Sequence, residues 1–209
     1  MGTEQRRERE KFARREVIIA CARELFLVKG FKGTTMDEIA QRAELSKGTL
    51  YLYFASKEEL YATVMNDGLA VLFDRIEEAF SSSLPPDQMI KNLGEVYYHF
   101  YLDNRDYFRI FFFLEHGEVS RQIPRELIQE NLDKGIRCLN LFAGVVQKGI
   151  DEKIFSPLEP WKAAVAFWGI TNGILFLFEE ELNKEIIGMD VEQMISYTLD
   201  LFITALRKR

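Results

Sequence analysis

Residues 34–57 read TTMDEIAQRAELSKGTLYLYFASK, and this stretch decides the fold. It predicts two short helices joined by a tight turn, with a longer helix starting directly afterwards. Thr35 is placed to cap the first helix, because Glu38 stands three residues on and can reach back to the cap's backbone N–H, while Ile39 and Ala40 face inward. Ser46 caps the second, Lys47 to Phe54. Ala43, Glu44 and Leu45 leave the three- to four-residue turn that lets two helices cross steeply. Leu50 and Phe54 lie four apart and share a buried face, which leaves Lys47, Gly48, Thr49, Tyr51 and Tyr53 on the exposed sides. A cation, hydroxyls and a residue without a side chain suit a phosphate backbone and base edges. Ser56 with Glu59 reads as a further capping box, with Lys57 in the first turn behind it.

Working outward, Ile18-Ile19, Cys21-Ala22, Leu25-Phe26, Gly30-Phe31, Thr34-Thr35, Ile39-Ala40, Ala43, Leu45-Ser46, Gly48-Thr49-Leu50-Tyr51, Tyr53-Phe54 and Ser56-Lys57-Glu58-Glu59-Leu60 together resemble the TetR-type (tetracycline-repressor-like) transcriptional regulators. The resemblance runs without a gap over about the first quarter of the chain. It departs at one place: the family usually has glycine in the turn, where this chain has Glu44. If that position needs φ > 0, Glu44 costs roughly 1 kcal/mol relative to glycine. The resemblance implies a helix-turn-helix DNA-binding domain over residues 1–57 and an effector-binding and dimerisation domain over 58–209. It also implies DNA contacts from Thr34, Thr35, Lys47, Gly48, Thr49, Tyr51, Tyr53 and Lys57.

The 209 residues are enough for one or two domains with a substantial core. A net charge of −6 is unusual for a nucleic-acid binder, but it is unevenly spread. Residues 1–57 hold 12 Lys and Arg against 8 Asp and Glu, a balance of +4, whereas the remainder carries −10. The positive excess lies with the helix-turn-helix. In residues 1–11, Arg6, Arg7, Arg9 and Lys11 alternate with Glu4, Glu8 and Glu10, which favours a solvated helix extension over a basic arm reaching DNA.

Beyond the motif, apolar residues recur at three and four, and no strand-like alternation, repeat or low-complexity tract interrupts them. An all-α chain of about nine helices follows: an N-terminal three-helix domain and a larger helical domain. The expected helices are Phe12–Lys29, the two of the motif, Ser56 to about Phe80, Asp87 to Tyr101, Arg105 to His116, Pro124 to Lys148, Trp161 to Leu182, and Val191 to Lys208. The Ser81-Ser82-Ser83-Leu84-Pro85-Pro86 break ends the fourth, because proline cannot continue a helix.

Gly169 and Gly173 stand four apart on a bulky helix and make a flat strip where another helix can come close. The last helix offers Met194, Thr198, Leu201 and Phe202 at helical spacing. Packing inside one subunit would explain both. The resemblance implies instead that these residues, with Phe167, form a homodimer through a four-helix bundle, which would space two recognition helices about one DNA turn apart.

Aromatic residues make up 13% of the chain, and most are expected in the core. The resemblance implies that some line a cavity for a largely apolar or aromatic effector, between the long linking helix and those after it. The candidates are Leu69, Tyr97, Tyr101, Phe108, Phe111, Phe112, His116, Trp168 and Asn172. No metal or cofactor is expected: His99 and His116 are the only histidines and have no ligand spacing. Glu115-His116 with Glu118 is better explained as a polar helix end than as an acid–base pair. No phosphate loop or nucleophile elbow is present, so an enzyme is not expected. Cys21 and Cys138 are expected as buried thiols in a reducing compartment. The charged start lacks a signal-peptide core, and the longest apolar run, Ala163 to Phe178, is shorter than a bilayer span, so a cytoplasmic protein away from membranes is expected. The rival is a helical small-molecule carrier or interaction module without DNA binding.

Overall fold

The computed structural model describes residues 3–80, 83–112 and 123–208, without the side chains of residues 3, 111 and 112. Ten helices occupy the described residues: α1 (Thr3–Gly33), α2 (Met36–Arg42), α3 (Lys47–Tyr51), α4 (Lys57–Ala79), α5 (Pro86–Asp103), α6 (Arg105–Phe112), α7 (Arg125–Asp151), α8 (Pro160–Leu177), α9 (Glu181–Ile187) and α10 (Val191–Leu206). The fold is all-α, and the only β-type pairing among these residues is an isolated bridge between Phe155 and Arg207. Two compact units emerge. One comprises the described residues of Met1–Leu69 and Arg105–Glu130, the other Ala70–Asn104 and those of Asn131–Arg209.

In the first unit α1 packs on α2 and α6, and α2 packs on α3. Its core is apolar and aromatic: Phe26, Phe31 and Tyr61 meet with ring centroids 4.9–6.1 Å apart, two of the three pairs edge-on. Edge-to-face contact suits the ring quadrupoles. Ile18, Ala22, Leu50, Leu60 and Phe108 are fully buried. Gly30 has φ 70°, ψ 174° and breaks α1 before its last turn, the place where the sequence predicts the first helix to end.

In the second unit α10 packs on both α5 and α8. Phe167 stacks on Phe142 at 4.4 Å and meets Phe202 edge-on at 5.3 Å. The chain's last turns are tied down by Ser156 N–H donating to the Leu206 carbonyl (2.8 Å) and Lys208 N–H to that of Ile154 (3.1 Å).

The expected single helix from Trp161 to Leu182 is instead two, α8 and α9, whose axes differ by 102°. Electrostatics favour the break. Glu179, Glu180 and Glu181 would lie in the last turns of a continuous helix, beside its negative dipole end. In the structure Glu180 is the N-cap of α9 and Glu181 sits in its first turn, where the dipole favours a carboxylate. Among the described residues no single helix is long and apolar enough to cross a membrane.

The end of α7 is a Schellman motif. Ile154 N–H reaches the Gly149 carbonyl (2.9 Å) and Lys153 N–H that of Ile150 (3.0 Å), with Lys153 left-handed at φ 61°. The Phe155 ring is folded onto Gly149, so that a Cβ there would lie 2.1 Å from Phe155 Cδ2. Phe155 is buried and cannot swing away. Gly149→Ala is therefore expected to lower stability by about 2 kcal/mol, overpacking outweighing alanine's better helix propensity. Urea denaturation of the two proteins measures the difference.

Candidate nucleic-acid interface

The two reading helices are set by short-range caps. Thr35 Oγ1 accepts from Glu38 N–H (3.2 Å), and the Glu38 carboxylate accepts from Thr35 N–H (2.9 Å), so the expected capping box is complete. A hydrogen bond from Lys29, at 2.6 Å, and those from Thr35 hold the Glu38 carboxyl down at about 2. The box is thus fully formed above the ordinary glutamate range and is lost only as pH falls towards 2. Ser46 Oγ accepts from Thr49 N–H at 3.1 Å and caps α3. At α4, Ser56 Oγ accepts from Glu59 N–H (3.1 Å), but the Glu59 carboxylate accepts from Ala55 N–H (2.6 Å), one residue before the box partner anticipated.

The turn between α2 and α3 is another Schellman motif. Leu45 N–H donates to the Ala40 carbonyl (2.9 Å) and Glu44 N–H to that of Gln41 (3.1 Å). Glu44 has φ 56°, the left-handed conformation that glycine adopts without strain. The conditional cost raised by the sequence therefore applies. Glu44→Gly is expected to stabilise the first unit by about 1 kcal/mol, read as a higher thermal midpoint.

Around α3, Lys47, Gly48, Tyr51 and Leu52 are exposed, and Thr49 and Tyr53 half-buried. Lys47 Nζ lies 2.7 Å from Asp37 Oδ1, an exposed pair that links α3 to α2. Arg42 Nε donates to Glu24 at 2.8 Å and fixes α2 to α1. Leu52, 80% exposed beside these polar groups, was not anticipated. An apolar side chain there can contact a thymine methyl, and its signal in the sequence was an unpartnered leucine on the polar face.

Two candidates have other work. Thr34 is fully buried, and its hydroxyl donates to the Gly30 (2.8 Å) and Leu25 (3.2 Å) carbonyls, so its side chain is not available to DNA. Lys57 Nζ donates to the carbonyls of Phe31 (2.8 Å) and Thr34 (2.9 Å) and lies 4.3 Å from the Phe31 ring centroid. It binds the start of α4 to the end of α1 rather than reaching out for phosphate. Thr35 remains exposed at its cap.

Among the effector candidates, Tyr97 and Tyr101 are buried in the second unit. Tyr97 Oη donates to Asn172 Oδ1 at 2.6 Å, and Tyr101 Oη to Glu179 at 2.7 Å. Burial pushes the Tyr97 phenol well above its ordinary pKa, so it stays a donor. Leu69 and Phe108 belong to the first unit, half-buried and fully buried. The side chains of Phe111 and Phe112, and all of His116, lie outside the described residues. Trp168 is 46% exposed: one residue beyond buried Phe167, it is turned about 100° round α8 to the outer face.

That outer face bears on the dimer candidates. Gly169 and Gly173 are exposed, and a Cβ on either would meet nothing within 4 Å. Trp161, Val165, Phe176 and Leu177 on α8, with Tyr197 and Leu201 on α10, are exposed large apolar residues that share these surfaces. Met194 and Phe202 are half-buried. Phe167 and Thr198 are buried in the core of the second unit, Thr198 Oγ1 donating to the Met194 carbonyl at 2.7 Å. The two thiols are half-buried rather than buried. Burial, then Glu77, raises Cys138 to about 11, and burial also raises Cys21.

The family description matching residues 18–64 is "Bacterial regulatory proteins, tetR family". Over 178 residues the chain is 27% identical to the uncharacterized HTH-type transcriptional regulator YhgD of Bacillus subtilis, spanning 84% of this chain and 91% of that protein. In fold it is similar to a tetR-family regulatory protein from Rhodococcus RHA1, with a TM-score of 0.78, 20% identity, and 94% and 98% of the two chains covered. It is also similar to AibR, solved with isovaleryl coenzyme A and operator DNA, with a TM-score of 0.73, 18% identity, and 90% and 97% covered. The capped reading helices lie inside the matched segment, so residues 18–64 are a tetR-family helix-turn-helix, and the chain is a DNA-binding transcriptional regulator similar to the TetR type over most of its length.

Proposed function

We propose that the protein is a ligand-released repressor which binds a palindromic operator as a homodimer, residues 1–57 reading DNA and 58–209 serving effector binding and dimerisation. The observation that supports this most directly is the surface around α3. Lys47, Gly48, Thr49, Tyr51 and Leu52 come from a helix held by the Ser46 cap and the Glu44 turn, inside the segment that matches the family. Thr35, Lys47 and the tyrosine hydroxyls supply phosphate and base-edge contacts, and Gly48 lets the backbone approach. The strip of Gly169 and Gly173 and the exposed apolar side chains of α8 and α10 suit a two-fold partner. Such a pairing spaces two α3 helices for successive major grooves.

The effector is a largely apolar or aromatic small molecule with few polar groups, and it would take up the Tyr97 and Asn172 side chains as anchors by exchanging the hydrogen bond that now joins them. That AibR was solved with an acyl-coenzyme A and with operator DNA is a precedent for such control in this fold. Release requires the effector to prefer the conformation in which the two α3 helices no longer fit one DNA turn; about 100-fold preference corresponds to roughly 2.7 kcal/mol per site. The protein acts in the cytoplasm on this account, as a regulator and not as an enzyme.

A gel shift with duplex DNA from upstream of the chain's own coding region tests DNA binding. Affinity is expected to fall steeply with salt, with a log–log slope of about −0.9 for each phosphate neutralised. A chain that binds apolar ligands but gives no shift at low ionic strength would be a carrier, and the repressor reading would be wrong.

A further inference from the structure

The first turns of α1 carry a cationic face that the helix-turn-helix does not use. From Thr3 to Val17 the helix is regular, and nearly every described side chain is exposed. In the sequence the interleaved carboxylates favour a solvated helix extension over a basic arm reaching DNA, but on a helix the charges separate by face. Arg6 donates to Glu10 at 2.8 Å, and Glu16 lies 3.6 Å from Arg15, which takes two carboxylates out of play. Arg7, Lys11 and Arg14 recur at four and three residues, within about 60° of arc. Among the described residues none of these three makes a hydrogen bond or ion pair. Glu4 lies about 20° and Glu8 about 60° from Lys11, both at one edge of this face, and three cations against these two carboxylates leave its balance positive.

The direction of the face is given by the residues that follow. Lys11 stands seven residues before Ile18 and Arg15 seven before Ala22, and both of these are fully buried in the first unit. Seven residues are close to two turns, so the cations continue the side of α1 that packs on the rest of the reading head. The Arg15 guanidinium lies 5.3 Å from the centroid of Phe54, three residues beyond the end of α3. Lys11 and Arg7 therefore stand about 6 and 12 Å further along the same side of α1 than Arg15.

We propose that Arg7, Lys11 and Arg14 hold backbone phosphates of the same duplex, outside the base pairs read by α3. A duplex fits this face by charge complementarity and by its place in the same unit as α3, and the assignment rests on the DNA-binding reading above. The contact adds affinity without sequence preference.

The test compares the full-length wild type with the triple variant Arg7→Ala/Lys11→Ala/Arg14→Ala, and with Arg9→Ala, on a roughly 50-base-pair duplex from upstream of the coding region. Losing three phosphates per subunit is expected to flatten the log–log salt slope by about 2.7 per subunit and to weaken binding at least tenfold at low salt. Arg9→Ala, on the opposite side of α1, leaves the slope within half a unit, and lysine at positions 7 and 14 restores it. Because the side chains are exposed, circular dichroism melting is expected to be unchanged in every variant. A steep wild-type slope that persists in the triple variant overturns this inference alone. A wild type that gives no salt-dependent shift overturns the DNA-binding reading, and this inference with it.

Discussion

Lys57→Met is expected to lower the stability of the first unit by about 2–3 kcal/mol and to abolish DNA binding at temperatures where the rest of the chain stays folded. The ammonium group is the common partner of the Phe31 and Thr34 carbonyls, at 2.8 and 2.9 Å. Methionine keeps the length and the apolar stem but leaves both acceptors without this donor. Hydrogen bonds to charged groups contribute about 1.5–3 kcal/mol, and the position of Nζ over the Phe31 ring about 0.5–1 kcal/mol more. The loss falls on the segment between α1 and α2, so Thr35, the cap of α2, loses its fixed position. Hydrogen exchange of the α1–α3 amides reads the effect locally. If protection there is unchanged while DNA binding falls, Lys57 contacts phosphate after all.

Gly173→Leu is expected to raise the stability of the folded chain slightly and to weaken the proposed homodimer at least 100-fold. Within the subunit the new Cβ meets nothing, and leucine has a helix propensity better than glycine's by nearly 1 kcal/mol. At a two-fold interface the same side chain enters twice, where two backbones would otherwise approach closely. Leu201→Glu, at a side chain 56% exposed in the subunit, reaches the same end by placing a charge on the apolar surface, again twice. Sedimentation equilibrium separates the outcomes. A dimer as tight as wild type in both variants would locate self-association elsewhere, and a weakened dimer is expected to carry a matching loss of operator affinity.

The parts of this molecule legible in the sequence are those governed by neighbours a few residues apart. Thr35 with Glu38 and Ser46 with Thr49 are pairs at a spacing of three, and they fix the starts of α2 and α3. Glu44 was legible as a departure from the glycine expected in the turn, and its φ of 56° accounts for the cost attached to it. What escaped depends on long reach or on helix phase. Lys57 finds its acceptors 26 and 23 residues back, and no local pattern announces that. Thr34 has the composition of a DNA contact but is turned inward by the break at Gly30. Trp168 and Phe167 exchanged sides because assigning an aromatic pair to core or surface needs the phase of α8, and a helix apolar nearly all round has no clear phase.

Glu44 and Lys153 share a consequence. Both end a helix in a left-handed conformation with a long charged side chain where glycine would sit unstrained, and they belong to different compact units. Their penalties are independent and sum, so the double replacement by glycine is expected to gain about 2 kcal/mol, roughly the sum of the singles in chemical denaturation. A regulator built this way holds thermostability in reserve at two backbone positions, and engineering can draw on it without repacking the hydrophobic interior.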